Sequence, residues 1–167
     1  LTLPYFFVRG ATTLGNNRLS LAEITTVLGV TGQSIFAIQS QEIETRLLMN
    51  YPELLSAEVN VYLPNQVYVT VAERQPVILW QIGAGYTWID AAGVAFRPRG
   101  FVEGLVPVSA LDEPPAGAEA DTLGPPPYMQ RELVDAILAL SPLVPAGSTL
   151  TFDSAEGLGW TDSRGWK

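Results

Sequence analysis

Asp90-Ala91-Ala92-Gly93 and Asp153-Ser154-Ala155-Glu156-Gly157 are the segments where this chain sets ionisable groups in a pattern that chemistry uses. Two carboxyls sharing one proton do the work of an aspartic protease, and two carboxyls about 5–10 Å apart across a cleft hydrolyse glycans. Neither segment has the Asp-Thr/Ser-Gly form of the protease site. Aspartate opening and glycine closing a short segment is equally what a hairpin turn needs, and the turn is the reading that these residues favour for Asp90 and Gly93. Asp162-Ser163-Arg164-Gly165 uses the same device. The chain has no histidine and no cysteine, so the usual general base, the commonest metal ligand and every thiolate reaction are missing. Gly29-Val30-Thr31-Gly32-Gln33-Ser34 lacks the Gly-Lys-Ser/Thr of a phosphate loop, and no metal-ligand spacing appears. The expectation is a binding module, not an enzyme, with no cofactor and no metal.

Charge narrows the partners. The 167 residues carry a formal charge of −8, which repels nucleic acid and anionic lipid. Residues 1–75 hold four arginines against six glutamates, so the acidity sits mostly in residues 76–167. The short basic run Arg97-Pro98-Arg99-Gly100 reads as a solvated loop. No run of about 18 apolar residues is present, so the segment is expected to be soluble by itself.

The elements around these residues follow from periodicity. Val67, Val69 and Val71 alternate with Tyr68, Thr70 and Ala72, as Val59, Val61 and Leu63 do with Glu58, Asn60 and Tyr62. That is the pattern of half-buried antiparallel strands, with Pro64-Asn65-Gln66 as the turn between them. Upstream, Leu3 to Ala11 reads as a strand. Ser20 and Glu23 form a capping box with Leu19 and Ile24 as its hydrophobic staple, and Gly29 stops the helix. A second helix is predicted from about Gln41 to Met49 with Ser40 as its cap. Downstream come strands at about 77–82, 86–90, 94–96 and 106–110. An acidic Pro/Gly-rich loop from Asp112 to Pro127, expected to be mobile, precedes a helix from about Met129 to Leu140.

A strand ending in Glu73-Arg74-Gln75-Pro76, an apolar strand holding Trp80, and then Ile89-Asp90-Ala91-Ala92-Gly93-Val94-Ala95-Phe96 resembles the bacterial cell-division family FtsQ/DivIB. Phe7-Val8-Arg9-Gly10, the helix after Ser20 and Ser34-Ile35-Phe36-Ala37-Ile38 are similar to the POTRA domain of that family. Leu150-Thr151-Phe152-Asp153 and Gly157-Leu158-Gly159-Trp160 are similar to its β domain. The resemblance implies an α+β protein: a POTRA domain (β-α-α-β-β) over residues 1–75, then a mostly antiparallel β domain with one or more helices over residues 76–167. The chain stops after Trp166-Lys167 just as a strand should begin, so this second domain is expected to be C-terminally incomplete.

The resemblance further implies a non-enzymatic divisome scaffold that binds FtsB- and FtsL-like partners by β-strand addition and helps control septal peptidoglycan synthesis. It would work on the extracytoplasmic side of the bacterial cytoplasmic membrane at the septum, anchored by one N-terminal transmembrane helix. Glu73, Arg74 and Pro76 would form the interdomain junction. Trp80 and Trp88 read either as core or, with Trp160 and Trp166, as partner surface. Two alternatives stand: a POTRA module of an outer-membrane assembly or secretion machine, and a cell-wall glycan hydrolase using Asp90 and Asp153.

Overall fold

The computed structural model describes residues 3–119, 123–162 and 164. The chain divides into two compact units, Leu1–Arg74 with Leu123–Pro125, and Gln75–Thr122 with Pro126–Lys167.

In the first unit, β1 (Ala11–Leu14), α1 (Leu21–Leu28), α2 (Ser40–Asn50), β2 (Leu54–Tyr62) and β3 (Gln66–Glu73) follow in order. The three strands lie in the order β1-β3-β2, with β1 parallel and β2 antiparallel to β3. Val67, Val69 and Val71 turn inward to meet Ile24, Leu28 and Leu47 of the two helices, all of them buried. The α1 cap forms as expected: the Ser20 side chain accepts from the Glu23 N–H, the Glu23 carboxylate accepts from the Ser20 N–H, and Gly29 ends the helix in the left-handed region.

Two expectations for this unit need correction. Leu3–Ala11 is not a strand. Pro4 has no N–H to give to a ladder, and its fixed φ suits a helical first turn; Pro4–Phe6 forms a 3-10 turn and the strand begins only at Ala11. Between them, Val8 is held by a loop, donating to the Gln33 carbonyl at 2.9 Å and accepting from the Gly32 N–H at 2.8 Å. The second correction concerns Ser40, which is the first helical residue of α2 and not its cap; Gln39 precedes it without a side-chain capping bond.

The second unit carries β4 (Pro76–Ile82), β5 (Gly85–Asp90), β6 (Ala95–Phe96), β7 (Val106–Ala110), α3 (Arg131–Leu140), β8 (Thr149–Asp153) and β9 (Gly157–Thr161). They form one sheet in the order β6-β5-β4-β7-β8-β9. Three of its five pairings are antiparallel, and β7 at the centre is parallel to both neighbours. Parallel neighbours need a crossover, which the long connection through α3 supplies between β7 and β8. Val134 and Ile137 of α3 pack against Ile78, Trp80, Val108, Leu150 and Phe152. The loop after β7 is tied at its ends: Gly117 donates to the Pro127 carbonyl at 3.2 Å and Gln130 to the Pro115 carbonyl at 3.0 Å.

The Asp90–Gly93 turn is where these strands and α3 meet. The Asp90 N–H donates to the Val94 carbonyl, the Gly93 N–H donates to the Asp90 carbonyl, and the Met129 N–H donates to the Gly93 carbonyl at 3.0 Å. Gly93 has φ +85°, and a Cβ there would lie 2.1 Å from the Met129 carbonyl oxygen. Gly93→Ala is therefore expected to destabilise the second unit by about 3 kcal/mol, through strain at positive φ and loss of the Met129 contact. Urea unfolding followed by amide exchange in β4, β5 and α3 checks this.

Candidate functional site

The two aspartate segments are at opposite ends of one sheet. Asp90 ends β5 opposite Pro76, the first residue of β4, whereas Phe152 of β8 lies in register through Ala110 with Ile82, the last. Two strands stand between β5 and β8, a lateral distance of roughly 14 Å, and the length of β4 adds roughly 20 Å along the strands. No proton can be shared across that span, and no substrate cleft of glycosidase size fits it. Each carboxylate is used locally. Buried Asp90 accepts from the Ala92 and Val94 N–H groups at 3.0 and 2.9 Å, and Asp153 accepts from the Ala155 N–H at 2.8 Å. The Tyr128 phenol is also far from basic chemistry: burial first, then its hydrogen bond to Glu113, holds it protonated above the usual tyrosine value.

The Glu73 side chain gathers donors from a different part of the chain. Only 2% exposed, its carboxylate accepts from the N–H groups of Asn17 at 2.7 Å, Arg18 at 2.9 Å and Leu19 at 3.0 Å, and pairs with the Arg18 guanidinium at 3.2 Å. Burial pushes this carboxyl upward; the three backbone donors and the Arg18 charge outweigh it, and the group sits below the usual glutamate value. Arg18 in turn donates to the Arg74 carbonyl. Buried Arg74 donates from its backbone to the Glu53 carbonyl at 2.8 Å and from Nε to the Pro52 carbonyl at 3.0 Å. These bonds join the loop before α1, the start of β2 and the end of β3, all within the first unit. Pro76, buried, opens β4 of the second unit.

Two of the tryptophans named as partner surface are core residues. Trp80 is 2% exposed and packs against Phe152, and Trp88, 3% exposed, meets the edge of Phe96. Trp80 belongs to the core under α3, whereas Trp88 lies on the opposite face of the sheet, at the floor of a hollow that Tyr86, Phe101 and Pro107 also line. Trp160 on β9 is 40% exposed. Trp166 lies outside the described residues.

The sheet edges offer exposed backbone. Four strands flank only one neighbour among the described residues: β1 and β2 in the first sheet, β6 and β9 in the second. Unpaired edges invite strand addition, and proteins blunt them by shortness or by charged side chains. β1 has four residues and β6 two. In β2, the backbone N–H of Val59 is taken by the Glu44 carboxylate of α2 at 2.8 Å. β9, Gly157-Leu158-Gly159-Trp160-Thr161, has five residues and no charge. Sequence reasoning missed Arg18 and Glu44. Arg18 had a weak signal, a cation just before a capping box; Glu44 had none beyond its place beside the buried Ile43.

Comparison with known proteins now bears on this geometry. Residues 14–74 match the family described as POTRA domain, FtsQ-type. The first unit is an FtsQ-type POTRA domain. The likeness extends past it into the β domain: a cell division protein FtsQ of Myxococcus fulvus is 29% identical over 160 residues, 95% of this chain and 52% of that protein. One of Geobacter sp. is 28% identical over 151 residues, 89% of this chain and 52% of the relative. One of Koribacter versatilis is 40% identical over 81 residues, 48% of this chain and 23% of the relative. The chain thus resembles FtsQ cell-division proteins along nearly its whole length while spanning from about a quarter to about half of the length of these relatives. No described helix is long and apolar enough to cross a membrane, and no described group of three acidic residues is placed to hold a metal ion.

The POTRA domain's Glu73 predicts a pH signature. Its folded pKa is depressed, so the stabilisation is present above the unfolded glutamate value of about 4.3 and is lost as pH falls through the lower folded value. At neutral pH Glu73→Gln is expected to cost the POTRA domain about 3 kcal/mol, since the negative charge is lost and one carboxylate oxygen becomes an NH2 group facing the Arg18 guanidinium. The gap between wild type and variant should shrink as pH drops below about 4.3, measured by urea unfolding at POTRA amides across a pH series.

Proposed function

We propose that this chain is the docking part of a non-enzymatic bacterial cell-division scaffold, which binds FtsB- and FtsL-like partners by strand addition and so helps control septal peptidoglycan synthesis. The observation that carries the reading is the β9 edge: five uncharged residues, unguarded by length, proline or carboxylate, in a chain that resembles FtsQ proteins. Main-chain hydrogen bonds along β9 supply affinity to an incoming strand, and side-chain pockets beside it supply selectivity. A hollow of about 420 Å³ lined by residues including Ser109, Thr151, Leu158 and Trp160 adjoins the strand. Trp160, half-exposed and aromatic, has the character of an interface anchor. In this reading Glu73, Arg74 and Pro76 mark the junction between a POTRA domain of residues 1–75 and a β domain of residues 76–167. The protein acts at the septum on the extracytoplasmic side of the cytoplasmic membrane, held there by an N-terminal transmembrane helix.

Two measurements test this. The full-length protein, fluorescently tagged at its cytoplasmic end, is expected to form a mid-cell band before constriction; an even rim with no septal enrichment would overturn the division role. A photo-crosslinking residue at Trp160 in the same cells should capture an FtsB- or FtsL-like partner, and Trp160→Ala should lower partner recovery roughly tenfold. Crosslinks from position 160 that run only within the protein itself would show that β9 is covered by its own chain and is not the docking edge.

A further inference from the structure

The β2 edge is the longest in the chain, nine residues from Leu54 to Tyr62, and it differs from β9 in one respect. Val59 pairs with Val69 across the β2-β3 ladder, yet its N–H donates to Glu44 Oε1 of α2 at 2.8 Å. That N–H therefore points away from β3. Backbone polar groups of a strand face alternate sides, so Ala57 and Val61 also direct theirs outward, and Glu44 occupies the middle of the three positions that an added strand would pair with. Ile43 and Leu47, on the same helix, are buried in the core and fix α2 against the sheet, which leaves Glu44 at the flank of the helix with the reach to close around the edge.

We propose that Glu44 is an edge guard that keeps the POTRA sheet closed to strand addition at β2. An incoming strand would have to displace a charge-assisted hydrogen bond and bring its own carbonyl against a carboxylate. With Glu44 in place, β2 neither pairs with a second copy of the chain nor competes for a partner's strand. The inference rests on a hydrogen bond within the POTRA domain and stands independently of what β9 binds.

Amide hydrogen exchange on the wild-type chain decides the first half of the proposal without any variant: Val59 should exchange roughly tenfold more slowly than Ala57 and Val61, the yield of one hydrogen bond to a charged group. Equal rates at the three amides would overturn it. In Glu44→Ala the Val59 protection should disappear, while Glu44→Gln, whose amide oxygen still accepts, should keep most of it. At high protein concentration E44A should associate in sedimentation velocity, with the Ala57 and Val61 amides slowing as it does, and in wild type and E44Q those two amides should keep their exchange rates at every concentration. An E44A chain that loses Val59 protection and remains monomeric at every concentration would refute the guarding role.

Discussion

The buried Glu73 carboxylate is the constraint around which the POTRA domain closes. A charged group taken out of water at the end of a strand is unfavourable unless its lone pairs are satisfied. Here the donors come from three consecutive N–H groups of a loop more than fifty residues upstream. Those N–H groups would themselves be unpaired without it, since the loop stands between the end of β1 and the capping box of α1. One interaction therefore solves two desolvation problems, sets where α1 begins, and pins the last residue of β3. Arg18 and Arg74 extend the same logic to the carbonyls of Arg74, Pro52 and Glu53. The strand leaves the POTRA domain from a fully bonded end, not from a frayed one.

The second unit solves its end problems with turns. Asp90 and Asp153 begin segments of similar composition, yet Asp90 is buried and Asp153 is not. The difference arises from what packs on the turn. The Gly93 carbonyl receives the Met129 N–H just before α3, so the approach to the helix covers the first turn, while the second is met by the exposed Asp112 carboxylate, which accepts from the Ser154 N–H at 3.2 Å and its hydroxyl at 2.8 Å. An aspartate followed by glycine three residues on in one turn and four in the other can thus be core in one place and surface in another. Their separation across the sheet is what removes joint chemistry from them, and neither local motif contains that information.

Much of the fold was legible in the residues because much of it is local. Alternation placed β2 to β5 and β7 within two or three residues, and the Ser20–Glu23 box with Gly29 bounded α1 correctly. The failures have physical causes. Leu3–Ala11 looks apolar enough for a strand, but Pro4 breaks the ladder, and among the described residues the backbone at Phe7 and Val8 is met by the loop at Gly32–Ser34. The parallel centre of the second sheet depends on a crossover whose register no single segment encodes. Trp80 and Trp88 could be core or surface by pattern alone; packing under α3 decides it for Trp80, and burial against Phe96 for Trp88. Arg18 and Glu44 act through contacts that are tertiary, so their spacing carried almost nothing.

Edges complete the argument, because they connect the fold to what a protein without apparent catalytic groups can do. A folded chain satisfies its backbone everywhere except at sheet borders, and each border must be shortened, charged, covered or used. β1 and β6 are short, and the N–H of Val59 in β2 is met by Glu44. Among the described residues β9 has none of these protections, and its two glycines leave the backbone open to close approach by another chain. An unguarded, uncharged strand in a molecule of net charge −8 would be an aggregation hazard if solvent were its normal neighbour. Its composition is therefore that of a strand made to be covered, and this favours pairing, with a partner or with its own chain, over exposure. In the proposed reading, protection placed on β2 and withheld from β9 would give strand addition a direction, with the POTRA sheet as a closed support and the β domain as the pairing surface.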